Sequence, residues 1–254
     1  MNIVVAAKLV PDLVEELTIA DDGSALDMAS MRMILSEFDD QAIEEAILLK
    51  ERSGAQVTVV ALDMDGVDDT LYMAAAKGAD RLVKVTGDWD LGANNHALAR
   101  VFAAQILDLR PDLVLTGVQA HNDLDGPVGP LLAHYLGMPY IGYVAGVTLE
   151  QGRACVRKEY PGGLVAEMEI TLPATLGIQV AEQPPRYVAF SRIRQAMKSA
   201  ILEEKEAGGL DPAGGPAVNR MFQPEAAQRA TLITGDKFQV AARLADLFRE
   251  HGVL

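Results

Sequence analysis

The chain has 254 residues, half of them hydrophobic but only 5% aromatic. That length and composition allow one α/β domain with an appendage, its core built from Val, Ile, Leu, Ala and Met, and exclude a disordered chain. A formal net charge of -14 excludes a general nucleic-acid role, because such a surface repels phosphate backbones and anionic lipid alike.

The single cysteine, Cys155, rules out an internal disulfide and a multi-cysteine zinc site. It lies in an alternating stretch that reads as strand, where a half-buried, inert thiol is expected. The apolar start of the chain, interrupted by Lys8, is too short for a signal peptide, and no later apolar run reaches the roughly 18 residues of a membrane span. The expectation is a cytoplasmic protein without membrane insertion.

Residues 3–7 form a β-branched apolar run, predicting a buried first strand. Helical spacing follows over 36–52, then a buried strand over 56–62, a helix over 67–77 and a strand over 81–85. A long amphipathic helix is predicted over 93–109, a strand over 112–116, a helix from 126 to 136 and a strand from 140. Strands alternating with helices predict a mainly parallel sheet covered on both faces. From 147 to 172 short turns join strand-like runs, one of them Pro161-Gly162-Gly163, which predicts an antiparallel insertion. Residues 174–180 read as one more buried strand, 191–206 as a helix and 208–223 as a Pro/Gly linker. The last piece, ending in an amphipathic helix over 238–251, is too small for its own core and reads as a docking arm. The expected domains are therefore 1–190, a docking helix and linker over 191–224, and an arm over 225–254.

No Ser, Cys or Glu stands in mechanistic spacing with His96, His121, His134 or His251, so no catalytic residue and no metal ligand is assigned. G-x-G-x-x-G and G-K-[S/T] phosphate loops are absent. The strongest site signal follows the strand 112–116. It runs Gly117-Val118-Gln119-Ala120-His121-Asn122-Asp123-Leu124-Asp125-Gly126-Pro127-Val128-Gly129-Pro130, past a strand's carboxyl end and into a helix, where open α/β sheets bind ligands. A helix N-terminus suits phosphate. Asn122, Asp123 and Asp125 are placed either to bond ribose hydroxyls or to cap the helix. A second signal is Arg186, Tyr187, Phe190, Arg192, Arg194 and Lys198, a basic cluster around an aromatic anchor. It reads equally as a docking surface or as a solvated helix start.

These segments, in this order, resemble the electron-transfer flavoprotein beta family. The pieces are Ile3-Val4-Val5-Ala6-Ala7-Lys8-Leu9-Val10-Pro11-Asp12, Phe38-Asp39-Asp40-Gln41-Ala42, Ala74-Ala75-Ala76-Lys77-Gly78-Ala79-Asp80, Gly117-Val118-Gln119-Ala120, Leu172-Pro173-Ala174 and Pro185-Arg186-Tyr187. The resemblance implies a three-layer α/β fold of the adenine-nucleotide α-hydrolase-like kind, with a mostly parallel sheet, an antiparallel insertion and a C-terminal arm. It implies an electron carrier rather than an enzyme, the small subunit of a heterodimer whose alpha subunit holds the redox-active FAD. The beta site takes AMP in simple carriers and a second FAD in the electron-bifurcating branch. By matching position its contacts would be Ala6, Ser36, Phe38, Asp39 and Leu62, with Asn122, Asp123, Asp125, Gly126, Pro127, Val128, Gly129 and Pro130. Electrons would come from a flavin dehydrogenase, docked around Phe190, and pass to a membrane quinone oxidoreductase or another acceptor. Ser36-Glu37-Phe38 replaces the simple carriers' Asn-Pro-Phe, and Val128 replaces their threonine, which leaves AMP, FAD and an empty site open. The alternative from another class is a stand-alone adenine-nucleotide-binding module with a regulatory or scaffolding role.

Overall fold

The computed structural model describes residues 1–27, 31–87, 94–150, 152–211, 213–224 and 230–254. In chain order its elements are β1 (Asn2–Ala7), β2 (Leu9–Pro11), β3 (Met33–Leu35), α1 (Glu37–Ser53), β4 (Gln56–Leu62), α2 (Val67–Lys77), β5 (Arg81–Thr86) and α3 (Asn95–Leu107). Then come β6 (Leu113–Gly117), α4 (Val128–Leu136), β7 (Tyr140–Glu150), β8 (Arg153–Tyr160), β9 (Leu164–Thr171), β10 (Ala174–Ile178), α5 (Phe190–Ser199), β11 (Leu202–Glu206) and α6 (Lys237–Glu250). Residue 93, where the long helix was predicted to start, and residues 225–229 of the predicted arm lie outside the described residues.

One nine-stranded sheet runs in the order β11-β5-β4-β1-β6-β10-β7-β8-β9. Every pair from β11 to β7 is parallel, and β8 and β9 add the predicted antiparallel extension at one edge. The central strands are apolar on both faces because both faces are covered. Ile3 and Val5 of β1, with Val57 and Val59 of β4, pack under α1 and α2. Val4, Val60 and Val114 pack under α3 and α4 on the opposite face. These are the three layers expected from the alternating pattern. Cys155 is half-buried on β8, and burial, with the charges of Glu150 and Glu169, pushes its thiol pKa up.

Helix α1 shows how the sequence sets an element's ends. Glu37, Asp39 and Asp40 occupy its first turn and Lys50 and Arg52 its last, each sign complementing the helix dipole. Gly54 closes it in the left-handed conformation, its N–H on the Lys50 carbonyl at 2.8 Å.

The helix predicted over 191–206 is corrected. The helix stops at Ser199, and Leu202–Glu206 is an edge strand parallel to β5. The run Glu203-Glu204-Lys205-Glu206 has good helix propensity, which tertiary pairing overrides. Glu203 makes a two-pronged ion pair with Arg81 of β5, both contacts at 2.6 Å, and Glu204 meets Lys84 at 3.0 Å. Two further elements, β2 and β3, form a short antiparallel pair that the sequence reading left unassigned.

Between β10 and α5 the chain crosses α1 as a belt. Ala181 N–H donates to Gln41 at 2.9 Å, Glu182 N–H to Glu45 at 2.8 Å and Arg186 N–H to Glu44 at 3.0 Å. The Arg186 guanidinium grips Glu44 at 2.7 Å and Glu51 at 2.6 Å. Glu44 and Glu45 are fully buried, and these donors are what makes two adjacent buried carboxylates tolerable.

The chain divides into two compact units, Met1–Met221 and Phe222–Leu254. In the first, the Pro/Gly stretch is held down: Arg100 donates to the carbonyls of Asp211 and Ala213, and Met221 N–H to the Gly23 carbonyl at 2.7 Å. In the second, α6 opens with a capping box between Asp236 and Gln239. Its Val240, Leu244, Leu247 and Phe248 share one side at helical spacing, and no residue of α6 is buried.

Candidate functional site

Parallel pairing places the carboxyl ends of β1, β4, β6 and β10 along one edge, with Ala7 level with Ala61 and Gly117 level with Ile178. Two helices begin there, α1 beside β6 and α4 after it. The cleft between them is lined by Ala6, Lys8, Asp39, Phe102, Thr116, Gly117, Gln119, Ala120, Asp123 and Val128. As it stands the cleft has a volume of about 10 Å³, room for one water.

Asp39 ties the floor together. Its carboxylate accepts the Gly117 N–H at 2.6 Å and, more weakly, the Lys8 N–H at 3.4 Å. A side chain at Gly117 is impossible in this arrangement, because a Cβ would lie 2.8 Å from the Asp39 nitrogen and the Phe38 carbonyl carbon. Burial pushes the Asp39 carboxyl up to about 7, against the opposing pull of the Gly117 N–H, the Ser36 hydroxyl and Lys8.

The loop 118–127 is latched by two residues outside it, Lys8 just past β1 and Asn95 at the start of α3. Lys8 Nζ bonds Asp123 at 2.7 Å and the Asn95 side-chain oxygen at 3.0 Å. Asp123 also accepts Asn95 Nδ2 at 2.8 Å and Ala120 N–H at 2.7 Å. Asn95 Nδ2 further donates to the Gly126 carbonyl at 2.8 Å, and Asn95 N–H donates to Asp125 at 2.9 Å. Asp125 therefore serves the start of α3, not of α4. The residue before α4 is Pro127, with no side-chain cap, so neither acidic residue satisfies that helix end. Beside it Thr116 Oγ1 is buried, without a partner among the described residues, and only 2.7 Å from where a Cβ on Gly129 would stand.

Of the predicted contacts, Ala6, Asp39, Asp123 and Val128 line the cleft. Ser36 and Leu62 are buried at the same strand edge, and Phe38 is half-buried with its backbone against Gly117. Gly126, Pro127, Gly129 and Pro130 lead into and begin α4, while Asn122 is exposed. Lys8, Asn95 and Thr116 were missed. Lys8 had a signal, a charge directly after a buried strand; Asn95 and Thr116 read only as helix and strand.

The second predicted cluster separates into two parts. Arg186 is held by Glu44 and Glu51 within the belt. Tyr187 is 92% and Phe190 63% exposed, and Arg192, Arg194 and Lys198 project from α5. Arg194 lies over the Phe190 ring at 4.7 Å. Among the described residues no three His, Cys, Asp or Glu side chains converge on a metal position, and no helix is long and apolar enough to cross a membrane.

The fold and cleft define a three-layer α/β protein with its site at the strand carboxyl ends. The electron transfer flavoprotein domain family matches residues 25–207. The chain is 36% identical to the electron transfer flavoprotein subunit beta of Methylophilus methylotrophus, over 98% of both chains. It is 30% identical to that of Bradyrhizobium diazoefficiens over the full length of both, and 34% to the mitochondrial subunit of Oryza sativa subsp. japonica over 83% and 84%. The chain belongs to the electron transfer flavoprotein beta-subunit family.

The phosphate or ribose of a nucleotide fits this edge in chemistry. The uncapped α4 start and the Thr116 hydroxyl, which has no partner among the described residues, are features that a phosphate or ribose would satisfy.

Proposed function

We propose that this chain is the small subunit of a heterodimeric electron transfer flavoprotein and works as a carrier component. An alpha subunit holds the redox-active FAD, which accepts and passes on electrons. This chain holds a structural nucleotide at its strand-edge cleft, AMP in a simple carrier or a second FAD in an electron-bifurcating complex. Ala6, the 36–39 turn, Leu62 and the 122–130 segment surround it. Its α6 packs on the alpha subunit, and the exposed Tyr187–Phe190 corner meets a flavin dehydrogenase. The downstream acceptor is a membrane quinone oxidoreductase or another redox protein. The observation that carries the reading is α6, a capped amphipathic helix with no buried residue, in a chain similar to beta subunits along almost its whole length.

Co-expression with an alpha-type subunit, purification and counting of released nucleotides tests it. One FAD with one AMP is expected for a simple carrier, and two FAD for a bifurcating complex. Failure to form any flavin-containing complex would remove the reading's support. Phe190→Ala should slow reduction by the dehydrogenase without altering flavin content; unchanged reduction kinetics would remove Phe190 from the docking surface.

A further inference from the structure

We propose that Lys8 and Thr116 form the phosphate anchor of this cleft, with Asp123 as the internal stand-in that Lys8 releases when a nucleotide binds. The inference rests on the reading of the cleft as a nucleotide site and names two residues which that reading did not include.

Thr116 is 2% exposed, and its hydroxyl has no partner among the described residues. A buried unpaired hydroxyl is destabilising, and a ligand oxygen is the partner that removes the penalty. It faces the first turn of α4, whose Val128 and Gly129 amides have no intrahelical acceptor and no capping side chain. Nothing but hydrogen on Gly129 lets the hydroxyl and the helix start come this close. An anionic oxygen here would take all these donors at once.

Among the described residues Lys8 is the only basic one lining the cleft, and it sits at the end of β1 with its ammonium on Asp123 and Asn95. That pairing is exchangeable. Without Lys8, Asp123 keeps the Ala120 N–H at 2.7 Å and Asn95 Nδ2 at 2.8 Å, so its charge is still hydrogen-bonded. Because Asp123 belongs to the loop that lines the cleft, releasing Lys8 also loosens the bonds that hold that loop in place. The site thus trades an internal carboxylate for an incoming phosphate.

The test uses the complex of this chain with its alpha subunit, stripped of beta-site nucleotide, titrated with AMP, with ADP (the pyrophosphate that FAD would offer) and with adenosine. AMP or ADP should bind far more tightly than adenosine, and the tighter of the two identifies a mono- or a diphosphate ligand. Lys8→Met should weaken the phosphorylated ligand roughly tenfold or more, and Thr116→Val about fivefold, with adenosine almost unaffected. In the stripped complex Thr116→Val should leave the melting temperature unchanged or raise it, since it deletes an unpaired hydroxyl, while shrinking the nucleotide-induced rise. This split is one a purely structural threonine would not give, and it stands even if Lys8→Met fails to assemble. If the wild-type complex binds AMP and both variants bind it equally well, or if adenosine equals AMP, the anchor is wrong while the nucleotide site survives. A wild-type complex that binds no adenine compound overturns both.

Discussion

Asp39 shows how much one buried carboxyl can couple. It links the end of β1, the first turn of α1 and the end of β6, and burial pushes it from 3.8 up to about 7. The folded chain therefore holds this proton more tightly than the unfolded chain. The stability this contributes is fully present below about pH 3.8 and is lost as pH rises through about 7. Asp39→Asn is uncharged at every pH and still accepts the Gly117 N–H. It should gain on the wild type by roughly 2–4 kcal/mol between acid and mildly alkaline solution. Urea denaturation of both proteins near the two ends of that range checks this; a difference that does not change with pH would mean Asp39 titrates normally. Asn95 and Thr116 carry the other lesson at this scale. Nothing in their neighbours announces them, because each acquires its role only when β1 and β6 end where α3 begins.

Among the elements, those from β1 to β10, apart from the short pair β2 and β3, were legible because each carries a strong local signal. Gln56–Leu62 and Val67–Lys77 fall where the pattern put them, since buried parallel strands are continuously apolar and helix ends are marked by acidic starts and Gly54 or Gly78. β11 was not legible: four of its five residues are charged, and only Arg81 and Lys84 on the neighbouring strand make them a strand. The belt across α1 was hidden for the same reason. Glu44 and Glu45 look like a solvated helix face, yet they are buried acceptors for backbone amides far along the chain. Arg186→Ala should destabilise the chain by roughly 1.5–3 kcal/mol, since Glu44 then loses charged donors while remaining covered. Hydrogen exchange should rise first at the Glu182 and Arg186 amides; unchanged protection there would show that the backbone, not the guanidinium, holds the belt.

For the whole molecule, the division into Met1–Met221 and Phe222–Leu254 sets what each part can do by itself. The first contains both core clusters, the cleft and the exposed Phe190 corner. The second holds a helix with an apolar side, and none of its described residues is buried. Deleting residues 237–254 should leave the melting temperature of the remaining chain within about 2–4 °C of the parent, as expected for a change near 1 kcal/mol, while abolishing co-purification with the alpha subunit. Retained co-purification would move the assembly interface to the first unit.

The belt is fastened on both sides of its most exposed point. Upstream, Ala181, Glu182 and Arg186 are tied to α1; downstream, β11 is laddered to β5. A single protease cut beside Tyr187 would therefore give two fragments that part on a denaturing gel yet travel together on a native one. The same property makes this corner the natural place to open the chain for split-protein reassembly, with each half carrying its own tether to the sheet.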